Sequence, residues 1–354
     1  MKIAIASPVM GVVPPEKYGG IELIVNSLAH GLADLGHEVT IFCAAGSAIA
    51  GPRITRVETS PYPTREYPEE NRAWERKQLS VILERQHEFD VINLHYEPHT
   101  CRFGEVGSEV NMLDFFRVPV ALTFHNTTDI PERKAYYEGA LSLYRHTMIF
   151  VSESQRRPLA FFPDTHVIYN ALSVKDFPFE TRKEDYLLFL GRITPSKGVR
   201  EAIQVARVTN LPLCIVAKVD PVDREYYEKE IEPLIDGDLI HYAGEADFSE
   251  KTEYFKRARC LLFPILWEEP FGLVMIESLA CGTPVIAFRR GSVPEIIQDG
   301  VNGYIVDTVE EMAAAVEQTT RILPVICRQS VENRFDNPRI VSEYEAVFRN
   351  MRKA

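Results

Sequence analysis

Short apolar runs alternate with amphipathic stretches along the whole chain, and this alternation constrains the fold more than any other feature. It is the pattern of parallel strands joined by crossover helices. Residues 2–7 read as the first strand, 8–20 as a Gly/Pro loop, and 21–35 as a helix with Ile21, Ile24, Leu28, Leu32 and Leu35 on one face. Gly36 ends that helix and 39–43 is a second strand. Further strands are predicted at 90–94, 118–124, 147–151 and 166–169, with a clear helix at 69–87. The pattern breaks at 171–185, around Phe177-Pro178-Phe179 and a charged run, which reads as an interdomain linker. Alternation then restarts, with strands at 186–191, 213–217, 239–242, 261–264 and 284–287. Helical stretches fall at 197–208, 223–234, 250–258, 271–281 and 309–320, and a helical tail runs to 351. The expectation is a two-domain α/β chain, 1–175 and 176–335, with 336–354 a helix returning to the first domain.

The 354 residues suit that division, at roughly 150 per domain. The net charge is −12, divided as 17 basic and 21 acidic residues up to 175 and 22 and 30 after it, so the parts carry −4 and −8. Neither has the basic footprint of a nucleic-acid binder. The longest charge-free stretch, 39–52, is 14 residues with Thr, Ser and Gly in it, too short for a membrane span of about 20. The N-terminal run reads as a strand and not as a leader, and the six cysteines are scattered without a C-x-x-C pair. Reduced, buried thiols in a cytoplasmic chain are expected.

Four segments carry candidate chemistry. Glu269-Pro270-Phe271-Gly272-Leu273 leads into an apolar helix, with Pro270 suited to its first turn. The amides of Phe271, Gly272 and Leu273 would then face a ligand oxygen from a positive helix end. Glu277 lies two turns further in among apolar neighbours, where a carboxylate needs a partner, a neighbouring helix being the ordinary one. In Gly191-Arg192-Ile193-Thr194-Pro195-Ser196-Lys197-Gly198, Arg192 leaves the carboxyl end of a strand and Lys197 enters the first turn of a helix. Two cations there suit a diphosphate, although a surface pair on a βα loop has the same spelling. Gly19 and Gly20 open the first helix, where backbone amides can cradle a ligand oxygen, but the dinucleotide fingerprint G-x-G-x-x-G is missing. His125, in Thr123-Phe124-His125-Asn126, leaves a strand end and is placed to bond a substrate, although a lone His is more often structural. Asp236-Gly237-Asp238 reads as a turn and not as a metal triplet, and His87, His95 and His99 lack metal-ligand spacing.

These segments, in this order, resemble the retaining glycosyltransferases of family 4, with the GT-B fold of two Rossmann-like, doubly wound parallel-sheet domains facing a central cleft. The resemblance also rests on Tyr18-Gly19-Gly20-Ile21-Glu22, Gly36-His37-Glu38-Val39, Val151-Ser152-Glu153, Gly282-Thr283-Pro284-Val285, Pro294-Glu295-Ile296 and Asp299-Gly300-Val301-Asn302-Gly303. It implies a hexosyltransferase using a nucleotide diphosphate sugar, UDP-glucose or a related UDP-hexose first and GDP-mannose second, without metal or other cofactor. Arg192 and Lys197 would bind the diphosphate, Glu277 the ribose, and Glu269 with the amides of Phe271, Gly272 and Leu273 the sugar. Gly19 and Gly20 would line the reaction centre and His125 would touch the sugar, making His125, Arg192, Lys197 and Glu269 the catalytic candidates. Backbone near Tyr242 and Gly244 would read the base.

Two departures stand out. The usual Pro-Asn-Gly-Val-Asp reads Tyr169-Asn170-Ala171-Leu172-Ser173, and the glycine expected after the second strand of the second domain is replaced in Val216-Ala217-Lys218-Val219-Asp220, where Lys218 either reaches the cleft or is solvated, the latter slightly favoured. The acceptor, a hydroxyl of a sugar, glycolipid or secondary metabolite, is not readable; the loops at 8–20, 61–72 and 95–102, with Tyr62, Tyr67, Trp74 and Tyr96, would shape it. Peripheral contact with the inner membrane face and a monomer or homodimer both stay open. The other classes are a GT-B nucleotide-sugar epimerase, separated by product analysis with donor alone, and a non-catalytic nucleotide-sugar binder, separated by its lack of turnover.

Overall fold

A computed structural model describes residues 1–16, 19–63, 68–103, 110–128 and 130–352; Tyr18 and Tyr67, named above, lie outside them. The chain forms two compact units, Met1–Ala171 with Asn337–Ala354, and Leu172–Asp336.

The first unit is a seven-stranded sheet of β1 (Lys2–Ala6), β2 (Glu38–Ala44), β3 (Ile54–Ser60), β4 (Val91–Leu94), β5 (Val120–Phe124), β6 (Thr147–Phe150) and β7 (Thr165–Val167). Their order is β3-β2-β1-β4-β5-β6-β7, all parallel. Alternate residues serve opposite faces. Ile3 and Ile5 of β1 pack under α1 (Gly20–Asp34) with Val25, Leu28 and Leu32, whereas Ala4 and Ala6 join Leu79 and Ile82 of α2 (Pro68–Glu84) on the other side. The chain's last helix closes the first face: Ile340, Val341, Tyr344 and Phe348 share that cluster. A helix, α3 (Pro131–Gly139), follows β5.

The second unit repeats the plan with six parallel strands, β8 (Leu187–Arg192), β9 (Leu213–Lys218), β10 (Ile240–Gly244), β11 (Cys260–Phe263), β12 (Val285–Phe288) and β13 (Gly303–Val306). Their order is β10-β9-β8-β11-β12-β13. In both sheets the strand order reverses beside the first strand, and in open α/β sheets ligands bind outside the carboxyl ends at such a switch point. The helices used below are α4 (Val199–Thr209), α5 (Phe248–Arg257) and α6 (Leu273–Ala280), with α7 (Asn337–Met351) belonging to the first unit.

Three expectations change. The helical stretch at 223–234 is present but irregular, an α turn (Arg224–Tyr226) running without a break into a π turn (Tyr227–Ile231) and a 3-10 turn (Glu232–Leu234). The linker is not free chain: Phe177 is buried, and Lys183 Nζ donates to the carbonyls of Lys256 (2.9 Å) and Cys281 (3.1 Å), fastening it to the second unit. Lys197 precedes α4 in a single 3-10 turn, Pro195–Lys197, because Gly198 takes a left-handed conformation between them. All six cysteines are free thiols, five of them buried. Among the described residues, no helix is long and apolar enough to cross a membrane, and no group of His, Cys, Asp and Glu is arranged to hold a metal.

Candidate functional site

The switch point of the second sheet lies between β8 and β11, and the loops leaving these strands carry the candidate cations and acids. Gly198 has φ +74°, and a Cβ there would stand 1.9 Å from the carbonyl oxygen of Pro264, the residue following β11. Only glycine lets the turn close this tightly. Leu266 N–H donates to Ser196 O at 2.9 Å, and the closure brings Lys197 against the loop after β11. Lys197 Nζ donates to Glu269 Oε2 at 2.6 Å, the Trp267 indole N–H donates to the same oxygen at 3.0 Å, and Lys197 Nζ lies 5.1 Å from the Trp267 ring centre. Both charges of the pair are largely buried, so each depends on the other for compensation.

A second cluster sits on the neighbouring strand ends. Arg192 and Lys218 are register partners on β8 and β9. Arg192 Nη1 donates to Asp220 Oδ2 at 3.3 Å, and Lys218 Nζ pairs with Asp220 Oδ1. Burial works against the Asp220 carboxylate, but hydrogen bonds and charge from Lys218 and Arg192 prevail and hold its pKa below the usual value. Of the two fates open to Lys218, the slightly favoured one, solvation, is not the one seen. The side chain is largely buried and shares a carboxylate with Arg192.

The helix after Glu269 starts later than its sequence suggests. Pro270 and Phe271 precede it, Gly272 is its N-cap and Leu273 its first residue. Phe271 cannot enter the first turn because it is an anchor: its ring is buried 5.7 Å edge-on from Phe335, and its carbonyl accepts from Ser292 Oγ at 2.7 Å. The amides left without an internal helical partner are therefore those of the Gly272–Leu273 end. Glu277, 3% exposed, accepts from Lys251 Nζ of α5 at 2.6 Å. Tyr242 belongs to the sheet edge: its hydroxyl donates to Ala217 O at 3.0 Å, its ring packs 5.4 Å from Tyr227, and Gly244 ends the same strand.

In the first unit, the candidates also follow strand ends. Gly19 caps α1 and Gly20 is its first residue, with the buried Glu22 carboxylate against Gly11 and Gly19. His125 follows β5. The Gln155 side chain accepts from Val151 N–H at 2.8 Å and donates to Asn126 O at 2.8 Å, which pins the backbone after it. His125 lies edge to edge with His95 in nearly the same plane, ring centres 5.0 Å apart, with His95 Nδ1 and His125 Nε2 2.8 Å apart. Burial lowers the His125 pKa to about 4; burial and the adjacent His125 lower that of His95 well below the ordinary value. Both rings are thus neutral at pH 7. Sequence reasoning missed Asp220, Trp267, Lys251, Asn93 and His95 as partners. The one legible signal was Asn93, a polar residue in a strand whose other residues are all apolar.

Residues 18–175 match the family model described as Glycosyltransferase Family 4, and 174–323 match Glycosyl transferases group 1. The chain belongs to the family 4 glycosyltransferases, and its two Rossmann-like units are those of the GT-B fold. It is 28% identical over 343 residues to phosphatidyl-myo-inositol mannosyltransferase of Mycolicibacterium smegmatis, covering 89% of this chain and 84% of that protein. Sucrose-phosphate synthase of Thermosynechococcus elongatus has a similar fold (TM-score 0.79, 20% identity, 99% of this chain and 98% of that one). HepE of Anabaena, solved in complex with UDP-glucose, also shares it (TM-score 0.74, 18% identity, 99% and 100% covered).

Proposed function

We propose that this glycosyltransferase moves a hexose from a nucleotide diphosphate sugar, UDP-glucose or a related UDP-hexose, to a hydroxyl acceptor with retention of configuration and without a metal. The observation that carries the reading is the set of three cations, Arg192, Lys197 and Lys218, gathered on Asp220 and Glu269 at the switch point of the second sheet. Cleaving the bond from the anomeric carbon to the diphosphate leaves negative charge on phosphate and oxocarbenium character on the sugar. Cations already fixed in place lower the cost of that charge, because they need no reorganisation as it develops. In the reading, the diphosphate engages Arg192 and Lys197, Glu277 bonds the ribose, and Glu269 with the Gly272–Leu273 amides bonds sugar hydroxyls. The acceptor oxygen attacks the face the phosphate leaves, a phosphate oxygen takes the acceptor's proton, and nucleoside diphosphate departs. His125, neutral, donates a hydrogen bond to a substrate hydroxyl, and the Gly19–Gly20 amides line the reaction centre.

HepE's complex with UDP-glucose supports the uridine donor; the identity to a mannosyltransferase favours a second reading, GDP-mannose. The test is a calorimetric titration of UDP and GDP into the wild type and Arg192→Ala. Loss of a charge-assisted contact worth about 1.5–3 kcal/mol weakens binding roughly 10- to 100-fold. If neither nucleotide binds the wild type better than the variant, the diphosphate assignment is wrong. Turnover that survives EDTA treatment is the matching expectation for the metal-free chemistry.

A further inference from the structure

We propose that Thr123, Asn93 and His95 form a proton-ordered hydrogen-bond chain that holds His125 in its Nδ1–H form, which makes Asn93 and His95 positioning residues for the hydrogen bond His125 gives to substrate. The inference rests on the reading above that His125 meets a substrate hydroxyl. Its basis is a continuous series of short contacts: Thr123 Oγ1 to Asn93 Oδ1 at 2.9 Å, Asn93 Nδ2 to His95 Nε2 at 3.0 Å, and His95 Nδ1 to His125 Nε2 at 2.8 Å. Thr123, Asn93 and His95 are all buried, so water does not compete at these links.

The proton order follows from the orientation of the Asn93 amide, whose oxygen faces Thr123 and whose nitrogen faces His95. The Asn93 amide oxygen accepts from the Thr123 hydroxyl, so its N–H faces His95 and His95 Nε2 must accept. A neutral imidazole with an accepting Nε2 carries its proton on Nδ1. His95 Nδ1 therefore donates to His125 Nε2, and His125, also neutral, carries its proton on Nδ1, the nitrogen left for a ligand. The near-coplanar, edge-to-edge arrangement of the rings, 16° between planes, fixes the direction of that N–H. An unconstrained imidazole can present either a donor or a lone pair at this point, whereas the chain, with the Asn93 amide in this orientation, leaves the donor. The fold assembles it cheaply: Asn93 is near the end of β4, Thr123 near the end of the adjacent β5, and each histidine lies a short step beyond in the same loop direction.

The experiment has two arms. Two-dimensional 15N–1H spectra of the imidazole nitrogens of the wild-type chain read the tautomers directly and need no substitution. Nδ1–H is expected on both His95 and His125; Nε2–H on His125, or a charged ring at pH 7.5, overturns the proposal. The kinetic arm follows UDP release from UDP-glucose. His95→Phe keeps a planar ring but removes the donor, and should lower kcat about 10- to 100-fold while the UDP dissociation constant stays within about twofold. His95→Gln offers an amide N–H to His125 and an amide oxygen to Asn93, and should restore most of the rate. Wild-type turnover by His95→Phe overturns the proposal. Wild-type turnover by His125→Ala overturns instead the underlying reading of His125, a failure distinguished by spectra that still show the ordered tautomers.

Discussion

Single residues decide whether the Lys197–Glu269 pair exists at all. Gly291 lies 22 positions beyond Glu269 with φ +52°, and a Cβ there would fall 2.2 Å from Glu269 O and 2.4 Å from Glu269 N. Its own N–H donates to Glu268 Oε2 at 2.7 Å, and Ser292 N–H donates to Glu269 O at 2.9 Å. The segment is moulded onto the backbone that aims Glu269, and backbone cannot yield as a side chain can. Gly291→Ala should therefore push Glu269 away from Lys197, costing about 1–3 kcal/mol of stability and at least an order of magnitude in turnover. Gly139→Ala, where nothing lies within 4 Å of the new Cβ, is the control and should stay within about 0.5 kcal/mol. Equal melting temperatures and rates for the two variants would remove the positioning role of Gly291.

Between elements, the α5–α6 contact turns on one buried charge. Glu277 reaches the interior of α6 among Met275, Ile276 and Leu279 and is compensated by Lys251 across the helix pair. Lys251→Met should cost about 3–5 kcal/mol, because it leaves the carboxylate buried and alone. Adding Glu277→Gln should recover a good part of that loss, so thermal melts of the two single variants and the double variant are expected to be strongly non-additive. Simple additivity would mean the pair is not coupled.

The same region shows what was legible. The apolar period of 271–281 identified a helix, and the resemblance identified Glu277 as a residue of interest. Neither revealed Lys251, since a partner 26 positions away is set by how helices pack and not by local pattern. Helix starts moved by two residues at Gly198 and at Gly272 because each takes a positive φ in a tight approach. Of the strands in the two parallel sheets, two escaped prediction, β3 and β13, and both are sheet edges. An edge strand keeps part of its surface in water, and β3 shows it, with Thr55 and Arg56 exposed. The central strands were readable because burial on both faces leaves an unbroken apolar run.

At the scale of the whole molecule, ionisable burden is divided unequally. Eight of the nine histidines lie in Met1–Ala171 and only His241 in the other unit. Burial pushes His99, His125 and His146 down to about 4, with further lowering by nearby arginines at His99 and by Arg145 at His146; His95 lies well below its ordinary value. A histidine whose folded pKa is depressed destabilises as pH falls below the unfolded value near 6.5, because the unfolded chain binds the proton first. The loss grows down to the folded pKa near 4 and amounts to about 2 kcal/mol for each of the three at pH 5. Glu75, raised by burial to about 7 against the pull of Arg72 and Arg76, acts in the opposite sense and offsets roughly one of them. Glu97, raised by burial, acts in the same direction as Glu75. In the second unit the lowered carboxylates Asp220, Glu180 and Asp236 lose stability only as pH falls through the carboxylate range. Acidification from pH 7 to 5 should therefore loosen Met1–Ala171 and leave Leu172–Asp336 nearly unchanged. The chain supplies its own reporters, Trp74 in the first unit and Trp267 in the second. Fluorescence melts of Trp267→Phe, read by Trp74, should shift to lower temperature across this range by several degrees. Melts of Trp74→Phe, read by Trp267, should not; if the two reporters fell together, or Trp267 fell first, buried neutral histidines would not be what limits this enzyme in mild acid.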